Sequence, residues 1–281
     1  MVAHEVVDAW AFDSTKFTPA LDAVGGRIND LRRRGKYLIA GLTPPTDSTA
    51  PLELVVHLGM TGRLAVTPVD PDSSGDDWRQ PDVDPYLRAG WLLRRTDVGS
   101  SRDDRSQLRS LSFLSYSDVR RFGRIAVVGA GEYGELPTLA TLGPEPFDDT
   151  FTPEGLRSAL NGSSRAVKTQ LLSQRVVAGV GNIYADEALW HAQVHPAAKR
   201  ITRRQAVELR DSIRAVLWSG ITHGGTTLRD YRDASGSEGS NQHQLVCYGR
   251  VGKPCHRCGS PLRRIVVDAR SSTFCGRCQR R

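Results

Sequence analysis

A chain of 281 residues with 39% apolar side chains and 27 glycines can bury two compact cores, which excludes global disorder. No stretch approaches the roughly 18 uninterrupted apolar residues of a membrane-spanning helix. No secretory leader is expected either, since no Lys or Arg precedes Lys16, and Glu5 and Asp8 sit where its apolar run would be. Charge is uneven: residues 1–150 hold 17 basic and 22 acidic groups, and residues 151–281 hold 21 and 9, a net −5 joined to a net +12. A basic half suggests a polyanionic partner, nucleic acid first; Arg-rich solvated helices are the alternative.

In chain order, residues 1–135 read mostly as strands. Phe17–Val24 is a short helix candidate. Lys36–Leu42, Leu52–Leu58, Trp91–Leu93, Leu111–Tyr116 and Arg124–Val128 are strand candidates. Pro68–Pro85 and Thr96–Ser106 read as solvated hairpin excursions, and Asp103–Asp104 as a loop tip rather than a metal-binding pair. Composition changes at the Pro-punctuated linker Leu142–Phe147, and helices follow. Thr152 is the N-cap of the first, with Pro153 at its first position. A second helix is expected near Arg165–Ser173, a third from Asn182 as N-cap, and a fourth over Thr202–Trp218 with Gly220 as its stop. Ser235–Ser240 reads as a flexible Gly/Ser stretch. The turn Val176–Asn182 carries Gly179 and Gly181, both able to take positive φ. A helix start after such a turn can attract phosphate, with Lys168 as a charged helper, or it can be a plain structural turn.

The five cysteines fall in the last 35 residues. Cys255 and Cys258 form one C-x-x-C knuckle, and Cys275 and Cys278 form another 16 residues later. That spacing predicts one structural zinc ion in a closed tetrahedral Cys₄ site rather than a disulfide framework. Leu262–Val267 and Ser272–Phe274 are the strands of the hairpin that the metal staples, and Asp268–Ser271 is its turn. Cys247 is left over and reads as a small buried hydrophobe.

Several motifs then line up. They are Arg33-Arg34-Gly35-Lys36-Tyr37-Leu38, His57-Leu-Gly-Met-Thr-Gly62, Asp118-Val-Arg-Arg-Phe-Gly123, Leu142-Gly-Pro-Glu-Pro146, Gly179-Val-Gly-Asn-Ile-Tyr-Ala185, Gly224-Gly-Thr-Thr-Leu228, Tyr248-Gly-Arg250, and the Cys₄ hairpin with Arg270. Their order and spacing from Arg33 on resemble the formamidopyrimidine-DNA glycosylase and endonuclease VIII superfamily, most closely its purine-directed branch. The resemblance implies an α+β fold: an N-terminal β-sandwich short of its leading helix over 1–140, a helix-two-turn-helix domain over 148–234 and a zinc hairpin over 245–281. It implies a base-excision-repair glycosylase with abasic-site lyase activity on oxidised bases, purines foremost. The alternative is a catalytically defective protein that binds damaged or abasic DNA. A zinc-ribbon transcription factor explains neither the His57–Gly62 and Asp118–Gly123 motifs nor Lys36.

By the same resemblance, Met60, Arg120 and Phe122 form a wedge that fills the hole left by a flipped base, and Arg121 joins the DNA-binding set. On their own, without the resemblance, Met60 reads as core packing in a hairpin and Arg120 as a surface cation. Lys36, Lys168, Asn182 and Arg270 match phosphate-gripping positions, and Lys36 and Arg270 also match groups used in strand elimination. Ser235–Gln244 matches a loop that covers the extruded base, although Gly-Ser-Asn-Gln-His here departs from the aromatic Gly-Tyr-Phe pattern. Family enzymes begin, after Met removal, with Pro-Glu-Leu-Pro-Glu; the proline amine attacks the sugar, and the glutamate handles protons. Met1-Val-Ala-His-Glu-Val-Val-Asp8 matches the following strand instead, so neither the nucleophile nor its glutamate is expected among these residues, and Glu5 is expected to be structural. The implied partner is duplex DNA carrying a damaged base or an abasic site. The implied protein is a bacterial, cytoplasmic, nucleoid-associated monomer.

Overall fold

The computed structural model describes residues 1–44, 50–69, 84–96, 111–228, 231–233 and 236–281. Most of the expected Pro68–Pro85 and Thr96–Ser106 excursions, with Asp103 and Asp104, and Ser235 at the start of the Gly/Ser stretch, lie outside the described residues. The chain divides into two compact units, Met1–Glu135 with Arg232–Ser237, and Leu136–Tyr231 with Glu238–Arg281.

The first unit is a sheet. Strands β1 (His4–Ala11), β2 (Arg27–Arg34), β3 (Tyr37–Thr43), β4 (Leu52–His57), β5 (Gly62–Pro68), β6 (Leu87–Arg95), β7 (Leu111–Asp118) and β8 (Arg124–Gly129) run antiparallel in the order β5-β7-β6-β1-β2-β3-β4-β8. Residues from both halves of that order, among them Val6, Leu54, Val56, Trp91, Leu114 and Ile125, share one core, so the long sheet folds over on itself as a sandwich. A 3₁₀ turn over Thr18–Ala23 covers this core through Ala20 and Ala23. There the Trp91 indole donates to the Ala20 carbonyl at 3.0 Å. In β7 the period of two turns Leu114, Tyr116 and Asp118 inward. It therefore drives a carboxylate into the interior, where partners are obligatory.

The second unit is helical. It contains α1 (Pro137–Ala140), α2 (Pro153–Asn161), α3 (Val167–Leu172), α4 (Asn182–His191) and α5 (Arg203–Thr222), with the hairpin β9 (Arg263–Val267) and β10 (Arg270–Phe274). Leu156, Leu160, Leu171, Leu189, Leu209 and Ile213 lie in its core. Thr152 caps α2 by accepting from the Gly155 amide, and Thr202 with Gln205 forms a capping box on α5. The hairpin, expected as a separate module, shares this unit with the helices. So does the expected linker: Arg214 Nε donates to the Pro146 carbonyl at 2.7 Å, and the unit begins already at Leu136.

Four local expectations are corrected. The N-cap of α4 is Gly181, and Asn182 is the first helical residue. Of the two glycines in that turn, only Gly179 takes positive φ, +83°. Gly220 does not stop α5 but lies inside it: a Cβ there would meet the Tyr184 hydroxyl at 2.3 Å. The helix ends instead before Gly224 and Gly225, at φ +66° and +100°. The hairpin turn is only Asp268–Ala269, with Arg270 and Ser271 already paired to Val267 and Val266.

Candidate nucleic-acid interface and metal centre

The four cysteines of the two knuckles converge. The Sγ atoms of Cys255, Cys258, Cys275 and Cys278 all lie within 4.8 Å of one another. Tetrahedral thiolate ligation at about 2.3 Å needs sulfurs about 3.8 Å apart, so the set fits one zinc ion with no open position. The surroundings fix it in place. Gln279, 1% exposed, accepts from the Cys275 amide at 2.7 Å and donates to the Val194 carbonyl at 2.9 Å. Arg257, inside the first knuckle, donates to the Trp190 and His191 carbonyls at 3.1 and 3.3 Å and lies over the Trp190 ring. It thereby caps the C-terminus of α4. Cys247 is buried as expected and donates to the Thr273 carbonyl; burial, then Glu187 and Asp186, push its thiol far up.

Two adjacent carboxylates on α4 dock the C-terminal segment. Glu187 accepts from the amides of Val246, Cys247 and Tyr248 at 2.9, 2.9 and 2.6 Å. Asp186 accepts from the Thr273 amide at 2.9 Å and from Lys168 Nζ at 2.6 Å. Lys168 also donates to the Ser271 carbonyl and to Ser272 Oγ, both at 2.8 Å. This overturns the phosphate role expected of Lys168. With the pair 0% and 1% exposed, the amine is spent on the hairpin and offers nothing to an outside anion. Burial, the largest influence, lowers Lys168 and raises Asp186, and each charge opposes the other's shift. Asn182 Nδ2 reaches the same Ser271 carbonyl at 3.3 Å. Lys168 and Asn182 thus meet beside Arg270, which is exposed at the start of β10.

In the sheet unit the structure brings Met60, Arg120 and Phe122 together. Arg120 Nη1 lies 3.5 Å from Met60 Sδ, and its guanidinium stacks on Phe122 at 4.7 Å. Met60 is 62% and Phe122 52% exposed, which removes the core reading of Met60. Arg121 turns elsewhere: it takes φ +55° and lies over the Phe12 ring at 4.7 Å. The residue that sequence reasoning missed is Asp118. Fully buried, it accepts from Thr61 Oγ1 at 2.5 Å, the Gly123 amide at 2.8 Å, the Arg120 amide at 3.2 Å and the Tyr116 hydroxyl at 3.3 Å. Burial and then the Asp118 charge push the Tyr116 hydroxyl far above its usual range. Gly59, at φ +67°, lets the Met60 loop pass against this one, since a Cβ would meet the Gly123 nitrogen at 2.7 Å. The signal for Asp118 was a carboxylate on the inward register of β7, just ahead of the loop that it shapes.

Lys36 is exposed at the tip of the β2–β3 hairpin, where Arg34 and Tyr37 pair across a two-residue turn. His57 lies across from Tyr37, ring centroids 4.8 Å apart. Burial first, and Lys36 second, hold His57 below its ordinary range, while Asp118 opposes them.

Comparison with known proteins agrees with this division. Residues 2–125 match the formamidopyrimidine-DNA glycosylase N-terminal domain, residues 142–232 its H2TH domain, and residues 252–281 the zinc finger found in FPG and IleRS. The formamidopyrimidine-DNA glycosylase of Deinococcus radiodurans is 39% identical over 264 residues, 92% of this chain and 83% of that protein. That of Desulforamulus reducens is 42% identical over 271 residues, 94% and 87% of the two chains. The crystal structure of the Thermus thermophilus MutM (Fpg) protein superposes with a TM-score of 0.79 at 36% identity, covering 99% of this chain and 92% of that one. The Lactococcus lactis Fpg protein in complex with abasic-site DNA gives 0.78 at 28%, covering 100% and 94%. Fold and metal site define a zinc-finger DNA-repair protein. The chain belongs to the formamidopyrimidine-DNA glycosylase family and is a DNA glycosylase of base excision repair.

Proposed function

We propose that the protein engages duplex DNA at a damaged or abasic nucleotide, excises oxidised bases, purines foremost, and then cleaves the abasic strand. The observation that carries this reading is the Met60–Arg120–Phe122 cluster. Extruding a base costs a few kcal/mol of lost stacking. Two exposed apolar side chains beside a cation can occupy the vacated space and face the orphan base. Solved relatives support the substrate class, since the Lactococcus lactis Fpg protein has been captured with abasic-site DNA and with Fapy-dG DNA. Lys36, Asn182 and Arg270 hold phosphates beside the lesion, and Lys36 and Arg270 also assist strand elimination. Ser235–Gln244, which includes Gly239–Gln244, covers the extruded base. The ion is structural and takes no part in the chemistry.

A second reading, lesion binding without excision, is favoured by Glu5. It lies in β1 and is ion-paired to Arg94 at 2.8 Å, a sheet contact rather than a proton-handling position. Borohydride trapping on an abasic duplex separates the two. A covalent adduct supports the lyase, and tight binding without an adduct supports the second reading. Equal affinity for damaged and undamaged duplex overturns both. Affinity should fall linearly on a log–log plot with salt, and Lys36→Ala should flatten the slope by about 0.9, one phosphate contact.

A further inference from the structure

We infer that Asn241 is a positioning residue. It anchors Gly239–Gln244 to the helical scaffold and thereby sets how well the protein tells a damaged base from a bare abasic site. The inference rests on the reading of that segment as the cover over the extruded base.

Asn241 is 2% exposed, and it is the only side chain of Gly239–Gln244 to be buried. Its Oδ1 accepts from Ser219 Oγ on α5 at 2.8 Å, and its Nδ2 donates to Thr226 Oγ1 at 2.8 Å. Its backbone amide donates to the Gly225 carbonyl at 3.0 Å. Thr226 Oγ1 lies 3.0 Å from the hydroxyl of Tyr184, the α4 side chain that passes over Gly220. One amide group therefore links the segment to α5 directly and to α4 through a second bond.

The rest of the segment hangs on this point by polar bonds. Gly239 N donates to Thr227 Oγ1 at 2.9 Å, Ser240 N to the His223 carbonyl at 2.8 Å, and Thr227 N to Gln242 Oε1 at 3.1 Å. His243 and Gln244 are exposed and follow wherever the anchor puts them. A segment whose single inward side chain is polar is held by directional bonds rather than by apolar packing. Removing the amide takes one partner from each of two half-buried hydroxyls, leaving Thr226 Oγ1 with the Tyr184 hydroxyl and Ser219 Oγ with His223 Nδ1 at 3.4 Å, and leaves the segment without its side-chain bonds to the helices. An abasic site has no base for the segment to cover, so only lesion binding should depend on the anchor.

The test compares the zinc-loaded protein with Asn241→Leu, which keeps the branched heavy-atom shape and deletes both side-chain bonds. Hydrogen exchange at the amides of residues 239–241 should accelerate by about tenfold, the factor for two half-buried hydrogen bonds of about 0.7 kcal/mol each, while α5 is unchanged. The ratio of affinities for a formamidopyrimidine duplex and a tetrahydrofuran abasic duplex should fall about tenfold, with abasic binding intact. Ser219→Ala deletes only one bond, so it should reproduce a smaller part of both changes and add nothing to Asn241→Leu. This second variant stands if the first misfolds. Unchanged exchange, faster exchange with an unchanged ratio, or an equal loss on both duplexes overturns the inference. Wild-type protein that cannot tell damaged from undamaged duplex overturns instead the function on which it rests.

Discussion

Asp186→Ala should be among the most damaging single substitutions in the second unit. It strands the Lys168 ammonium in a site with 0% exposure and removes the acceptor of the Thr273 amide. Breaking a buried pair from one side costs about 3–5 kcal/mol, with no solvent to screen the orphaned charge. The bare Thr273 N–H adds a share of about 1–3 kcal/mol, not fully additive, so a loss of about 4 kcal/mol is expected. Lys168→Met with Asp186→Leu removes both charges at similar volume and should recover most of it, leaving about 1–3 kcal/mol for the Thr273 amide. Native-state hydrogen exchange at the α4 amides, with free zinc held constant, reads the opening free energy of this unit alone. A single variant costing less than about 1 kcal/mol, or a double variant no better than the single, would refute the assignment of the hairpin dock to this pair.

Ala269→Gly should stabilise the hairpin by about 1 kcal/mol, because Ala269 sits exposed at φ +61° where a Cβ is strained; urea unfolding that shows no gain would remove that strain from the account. Cys275→Ser should release the metal and weaken DNA binding while leaving β1–β8 folded, and stoichiometric zinc retained by that variant counts against the ligand set. His57 is held below its ordinary range, so the unfolded chain takes up its proton at about 6.5, before the folded one does. Its contribution is complete above that pH and is lost as pH falls through the folded value. Stability measured from pH 7.5 down to about 5.5 should therefore decline, and His57→Phe should flatten the decline. The remaining slope belongs to His191 and His195, which burial also lowers.

What the sequence disclosed followed from how local each signal is. The Cys₄ spacing, the Thr152–Pro153 helix start and the apolar β3 and β4 each act within a few residues, and each stands where it was expected. Strand β2 escaped notice because only Ile28 is buried among eight residues that hold four arginines; pairing to β1 and β3, not its own pattern, makes it a strand. Lys168 was misplaced for the opposite reason. A lone lysine reads as solvated until Asp186 and Ser271, distant in sequence, are seen to close around it. Gly220 looked like a stop because the chain alone does not show Tyr184 lying across it. Met60, Arg120 and Phe122 carry no periodic pattern of their own, and their grouping is a product of the sheet folding back on itself.

Asp118 has one more consequence. Its bonds to Thr61 in one loop and to Arg120 and Gly123 in another spend, during folding, the conformational entropy of the two loops that display Met60, Arg120 and Phe122. A loop ordered only on meeting its partner would lose that freedom at the encounter and bind correspondingly less well. Here the cost has been met in advance by a carboxylate that never reaches the surface, so the displayed side chains arrive as a fixed shape.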